Sequence, residues 1–477
     1  MSNSKSIDTI VVGSGPNGLA AAITCAKAGR SVLVLEAKQS PGGAVSSADL
    51  TEAGFIHDVG AAVFPIAIDT PFFRGLPLEE HGLSWIFPEA SLAHPLDDEN
   101  AAIIYRDWDK TVDDLGIDGR GYALLTGPFK GRWSELADDL LSPLHMPGHP
   151  VLFASFGLRT ILPVMLLAKV LFKTAKGRAL LAGLGAHSIL PLSHPLSSAF
   201  ALLMAVSCNS PGWPIPRGGS GRVSAALASY LQSLGGEIIT SQEVRNLNDI
   251  EPAHAVFFDL APVHMLRIAG NRLPPVYRQK LSRYRYGPGV FKVDWALCGT
   301  IPWKAPECLK AATIHVGGSM EEIAASERAV WKGSHPERPF VICVQPSLFD
   351  ATRAPDGCHI AWAYCHVPNG STFDMTERIE RQIERFAPGF RDLVIGRSIM
   401  PPASIEKFDA NCIGGDIAGG VNSIRQMLAR PVFSPNPYAM PLPGMYLCSA
   451  STPPGGGVHG MCGYHAARIY LEGTKKE

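Results

Sequence analysis

IDTIVVGSGPNGLAAAITCAKAGRSVLVLE, residues 7–36, decides the fold. The apolar, β-branched run at 7–12 reads as a buried strand that stops at the glycines of GSGPNG, residues 13–18. The alanine-rich stretch 19–28, with apolar periodicity, predicts a helix stopped by Gly29, and 31–35 a second buried strand that ends on Glu36. Strand, glycine turn, helix and strand make a β-α-β unit, so the fold class is α/β around a Rossmann-like sheet.

The turn also carries chemistry. Gly13, Gly15 and Gly18, with Ser14, Pro16 and Asn17 between them, follow a strand and open a helix. Glycines at this spacing permit a tight turn, close approach of a pyrophosphate and tight helix packing. Glu36, at the end of the second strand and followed by Ala37, stands where a carboxylate accepts hydrogen bonds from ribose hydroxyls. An acid there disfavours a 2'-phosphate, which favours FAD or NAD over NADP. The glycine spacing alone is a weak signal; strand, helix and Glu36 together make it a strong one.

The 477 residues suffice for two or three domains, and a formal net charge of -1 provides no basic field for a nucleic-acid backbone. Ten scattered cysteines, with no C-x-x-C pair, point to a reduced intracellular protein without a metal site, and a cytoplasmic location is expected. Residues 1–8 leave no room for a secretory apolar region before the first strand. The segment 151–173 is strongly apolar but interrupted by Arg159, Pro163, Lys169 and Lys173. Two readings stand for it: a partly buried helix pair capping a domain, or a peripheral contact with the inner face of a membrane.

Further on, a helix is predicted over 223–234 and a strand over 237–240. The run VFKVDWAL, 290–297, alternates as a strand does and puts Lys292 and Asp294 on one face. Asp374 is expected to cap a helix with Glu377 in its first turn, with Ile379, Ile383 and Phe386 as the buried stripe. Without repeats or low-complexity linkers, the domains are expected to interleave.

Pro41-Gly42-Gly43 and GFIHDVG, 54–60, resemble the flavoprotein superfamily that includes amine oxidases and phytoene desaturases, whose fingerprint extends to a glycine pair soon after the acidic residue. Ala44 replaces the arginine usual there, and the amides of Gly43 to Val45 are left to face the pyrophosphate. A second block, SASTPPGGGVHG at 449–460, follows a strand expected at 445–448 and precedes a helix; such a turn aims backbone amides at one point, suited to a reduced flavin or to ribityl oxygens. This block and the stretches 213–227, 287–297, 338–357, 362–371 and 386–392 are similar to the phytoene desaturase-like group, whose bacterial members are related to a mitochondrial protein named for a pyridine nucleotide-disulfide oxidoreductase domain.

The resemblance implies a glutathione-reductase/amine-oxidase-type fold with an interleaved substrate domain and helical cap, and FAD as cofactor. It makes Ala450, Gly456, Gly457, Val458 and His459 neighbours of the flavin, and Val244 completes the expected cofactor contacts. The FAD domain is expected to comprise 1–68, 213–268 and 430–477, and the substrate and cap domain 69–212 and 269–429. The activity implied is dehydrogenation of an apolar, polyene- or isoprenoid-like small molecule, with oxygen or a quinone as acceptor. A double-bond isomerase or saturase, an amine oxidase, and a protein keeping FAD only as a structural ligand are the alternatives. An aromatic cage of the amine-oxidase kind is not located in the sequence.

His459, Lys292 and Asp294 are the catalytic candidates: His459 as proton relay or structural residue, Lys292 and Asp294 bracketing the ring or paired in a salt bridge. Tyr364, Cys365 and His366 either reach the cavity or satisfy a buried strand, and Arg217 either touches pyrophosphate or caps a helix. Cys448 and Cys462 read as small core residues.

Overall fold

The computed structural model describes residues 7–474, and its strands fall chiefly into two sheets. The first is parallel, in the order 445–447, 253–258, 7–12, 32–35, 237–239. Its strands are short β-branched or aromatic runs, buried on both faces at the centre, as a sheet covered by helices requires. The helix Pro16–Lys27 packs across it and is itself covered by Met461–Thr474 and Gly221–Ser233. Five strands that lie far apart in sequence therefore meet in one layer.

The second sheet has seven strands, in the order 394–400, 289–297, 359–367, 341–344, 311–316, 90–95, 101–105. It is antiparallel except where Ala311–Val316 runs parallel to Ala90–Pro95. Register places His315 opposite Ile342, Ile342 opposite Tyr364 and Tyr364 opposite Lys292, while Thr313, Val344, Trp362 and Asp294 form the adjacent row. Residues two apart on a strand share a face, so these two rows make one polar and aromatic surface. Helices between 108 and 209 form a cap over its other end.

Several local expectations shift. The first helix begins at Pro16, inside the glycine motif rather than at 19, because Pro16 takes the first helical position, where a missing N–H costs nothing. The strands expected at 31–35, 237–240 and 445–448 are trimmed to Val32–Leu35, Glu237–Ile239 and Met445–Leu447, and the helix expected at 223–234 is Gly221–Ser233. Asp374 accepts the amide of Thr376 at 2.8 Å, but Glu377 does not return to close a capping box. Glu377 is drawn instead to Arg391 and Arg381, while Ile379, Ile383 and Phe386 are buried as the stripe requires.

The segment 151–173 is two helices, Pro150–Arg159 and Val164–Leu171, bent by 90° around the Pro163 break. Among the described residues no single helix is long and apolar enough to cross a membrane. Leu152, Phe156, Val164 and Leu167 face inward, whereas Val151, Leu158, Ile161 and Val170 face solvent, with Leu158 70% exposed.

Candidate functional site: a dinucleotide groove opening into an apolar chamber

The groove begins where Ile7–Val12 ends. Gly13 takes φ +96, and a Cβ on Gly18 would stand 2.1 Å from the Gly13 carbonyl, so only glycine lets the turn close onto the helix start. Glu36 receives the amide and hydroxyl of Ser14, the amide at 2.9 Å, and the amide of Lys38 at 2.9 Å. These bonds fix the carboxylate at the end of its strand with lone pairs to spare for ribose hydroxyls. Gly42 (φ +131) and Gly43 (φ +56) turn the chain back over the loop, and a Cβ on Gly43 would lie 3.0 Å from the Gly15 Cα.

A cavity of about 660 Å³ follows from this groove. Of the expected cofactor residues, Gly13, Ser14, Gly15, Pro16, Asn17, Glu36, Ala37, Gly43, Ala44, Val244, Ala450, Gly456, Gly457, Val458 and His459 line it. Gly18, Gly42 and Val45 do not, and they shape it from behind: Gly18 packs on Gly13, and the Val45 carbonyl accepts the Ser224 hydroxyl at 2.8 Å. Asp58 of the 54–60 motif lies in the core, in a buried 2.6 Å ion pair with Arg353.

A dinucleotide's pyrophosphate fits here on two counts. The Lys38 ammonium is buried in the cavity wall without a hydrogen-bond partner among the described residues, and stands 4.0 Å above the Phe408 ring. Asp259, at the end of Ala253–Phe258, accepts the Gly18 amide at 2.9 Å. Burial, with the charges of Asp409 and Glu36 beside it, raises its pKa to about 8. At neutral pH Asp259 is therefore mostly uncharged, and the cradle does not repel an anion.

At the opposite wall His459 is buried. Its Nδ1 accepts the Met461 amide at 3.0 Å, capping the last helix, and burial lowers its pKa to about 4, so the ring is neutral. Lys292 lines the cavity and Asp294 lies behind it, joined by 2.5 Å contacts to both carboxylate oxygens, with His57 3.5 Å from Asp294. The Lys292 ammonium stands 5.1 Å from the Trp362 ring. Trp362 and Tyr364 stack at 5.9 Å and both line the cavity. The chamber thus has an aromatic wall after all, built side by side on one strand. Arg217 is exposed and away from the cavity; Cys448 and Cys462 are buried, and burial pushes the Cys462 thiol to about 11.

Sequence reasoning missed Lys38, Asp259 and His187 as wall residues, and the segment 416–420, whose Ala418 carbonyl a Cβ on Gly456 would meet at 2.5 Å. That segment is held by buried Arg430, which donates to the Ala418 and Gly420 carbonyls. The helix-opening glycines were visible because their partners are adjacent in sequence; Asp259 lies 241 residues from Gly18.

Residues 11–74 match the NAD(P)-binding Rossmann-like domain. The chain is 27% identical over 332 residues to "Pyridine nucleotide-disulfide oxidoreductase domain-containing protein 2" of Rattus norvegicus, covering 59% of this chain and 56% of that protein, so it spans about half the length of that relative. It is 24% identical to "Phytoene desaturase (lycopene-forming)" of Pantoea ananas over 95% of this chain and 96% of that one. A putrescine oxidase structure superposes with a TM-score of 0.61 at 17% identity, covering 98% and 99% of the two chains. The Rossmann-like domain and the two sheets share the fold of that amine oxidase.

Proposed function

We propose that this homologue of phytoene desaturase, a flavin-type oxidoreductase of the phytoene desaturase and amine oxidase superfamily, dehydrogenates an apolar polyene- or isoprenoid-like substrate and passes the electrons to oxygen or a quinone. The observation that carries the reading is the continuity of one cavity from the glycine loop 13–17 to a chamber walled by Leu141, Phe156, Phe200, Leu203, Met204 and Ile342. A dinucleotide and an apolar molecule would share it end to end.

In this reading Glu36 and Val244 hold the adenosine end of FAD, the amides of 13–17 and 43–45 its pyrophosphate, and 450 with 456–459 border its ring. FAD supplies the hydride acceptor for the oxidation. The chain's own residues position the substrate and keep water out: the aromatic wall and the aliphatic chamber favour a carbon skeleton over water, and neutral His459 holds the loop 449–460 in place through its cap on Met461. Catalytic roles for His459, Lys292 and Asp294 remain part of this proposal, as do the domain limits 1–68, 213–268 and 430–477. The five strands of the parallel sheet come from these three stretches.

Amine oxidation is a second reading, favoured by Trp362 and Tyr364, whose faces suit a cation. Lys292 opposes it by placing a positive charge over the same indole. The exposed apolar face of Pro150–Arg159 and Val164–Leu171, flanked by Arg159, Lys169 and Lys173, is proposed to rest in a membrane interface on the cytoplasmic side. Phe156 links that face to the chamber.

Product analysis tests the reaction. Incubation with a polyene or isoprenoid panel and an acceptor is expected to give a product two hydrogens poorer. A product of unchanged mass would establish isomerisation, one two hydrogens richer saturation, and aldehyde with ammonia from an amine would establish the second reading; each would overturn the first.

A further inference from the structure

The chamber is apolar over most of its wall but not at the end where the cap meets the second sheet. There His187, from the turn after Ala175–Ala186, lines the cavity and is only partly buried. Its Nε2 is 2.9 Å from Nε2 of His315, which lies in the cross-strand row with Ile342, Tyr364 and Lys292. The Trp213 ring packs against His187 at 5.6 Å, and His366 sits 5.9 Å from Tyr364 on the same strand face.

With its Nε2 engaged, His187 has Nδ1 left for whatever occupies the chamber. Burial, with His366 nearby, lowers its pKa to about 3, so the ring is neutral at any ordinary pH. Burial and the Glu327 carboxylate raise the Tyr364 pKa, so its phenol keeps its proton. Among the described residues the Tyr364 hydroxyl has no hydrogen-bonding partner, although the side chain lines the cavity. Two neutral hydrogen-bonding groups thus stand in a wall that is largely apolar, beside Thr313 and Trp362, whose hydroxyl and indole N–H also lack partners among the described residues.

The charges around them select the ligand. Glu327, buried and bonded to His366 at 2.8 Å, would repel a carboxylate. Lys292, in the Tyr364 row, holds its ammonium against the Asp294 carboxylate, so the pair offers no net charge to draw either a carboxylate or an ammonium. A depressed pKa makes His187 a poor base for a C–H proton but leaves it a competent neutral hydrogen-bond partner. A hydroxyl or carbonyl oxygen is what remains: it carries no charge, and it can accept from the Tyr364 phenol or, as a hydroxyl, meet either tautomer of His187.

We infer that His187 and Tyr364 form a polar pole that binds a neutral oxygen function on an otherwise apolar substrate, so that the preferred ligand is an isoprenoid alcohol or carbonyl compound rather than a pure hydrocarbon. This deepens, and rests on, the proposed apolar substrate. Hydrogen bonds to buried neutral groups discriminate chiefly because a ligand lacking the oxygen leaves them unpaired.

The test is equilibrium binding to the FAD-loaded protein, read by quenching of tryptophan fluorescence, with farnesol and with the C15 hydrocarbon of the same skeleton. Farnesol is expected to bind about tenfold more tightly. Tyr364→Phe, which keeps the ring and its stacking, and His187→Asn should each weaken farnesol severalfold and leave the hydrocarbon unchanged. Equal binding of the two compounds by the native protein, or equal losses for both in Tyr364→Phe, would overturn the pole while leaving the apolar-substrate reading intact. Failure of both compounds to bind would overturn that reading and the pole with it.

Discussion

The amide of Gly18 donates to the carboxylate of Asp259 at 2.9 Å, which places a titratable group at the centre of the dinucleotide cradle. A Cβ on Gly15 would stand 2.6 Å from the same carboxylate, so neither loop nor strand end can move without the other. The relationship gives the groove its own pH dependence.

Burial raises the Asp259 pKa to about 8, against 3.8 for a free aspartate, so between these values the folded chain holds a proton that the unfolded chain has released. The stabilisation is therefore complete below the unfolded value and is lost as pH rises through about 8. Thermal unfolding of the FAD-free protein should show falling stability from pH 6 to pH 9. Phosphate charge beside Asp259 favours its protonated form further, so FAD should bind about tenfold more weakly at pH 9 than at pH 7. Asp259→Asn, which copies the protonated acid, should flatten both profiles; unchanged profiles in the variant would refute the assignment.

Gly463 packs the last helix against the first: a Cβ there would lie 1.8 Å from the Asn17 carbonyl. Gly463→Ala should cost about 1–3 kcal/mol in denaturant unfolding. It should also lower FAD occupancy, because Asn17 belongs to the glycine loop. A fully stable, fully loaded variant would show that the two helices can separate freely.

The glycine loop and Glu36 were legible because a strand, a turn and a helix within thirty residues carry their whole physical reason. The buried stripe 379, 383, 386 was legible for the same reason, as a local period. Asp259 could not be read, since nothing in FFDLAP signals that its carboxylate faces a helix start 241 residues away. His187 and His315 come together only when the cap meets the sheet, and Asp374 misled because Glu377 found arginines from the next turn and loop. The aromatic wall was present as alternation in WAYCH, yet its direction depends on sheet register, which single-strand periodicity does not supply.

Lys292 and Asp294 are paired in the core, both nearly inaccessible to solvent. Lys292→Met strands a buried carboxylate and should destabilise the protein by about 3–5 kcal/mol. Adding Asp294→Asn should restore most of that loss. If the restored double variant still reduces its flavin at the native rate, the pair is structural; a rate that stays low with stability regained places Lys292 among the catalytic residues.

The bent helix pair exposes Leu158 and Val170 at 70% and 66%. Replacing both with glutamate should leave melting temperature and FAD content within error of the native protein. Co-flotation with vesicles containing anionic lipid should be abolished, and the native protein's binding should weaken with added salt. Native protein that fails to float would refute the membrane contact.

Dehydrogenation of an apolar substrate by a bound flavin is tested most directly by anaerobic titration of the purified protein with isoprenoid alcohols and polyenes, following the oxidised flavin band and the FAD content per chain. One FAD per chain is expected, with bleaching of the band by a member of that class, reversed on admitting oxygen or a quinone. A protein that carries no FAD, or whose bound FAD is bleached by amines but by none of these compounds, would contradict it.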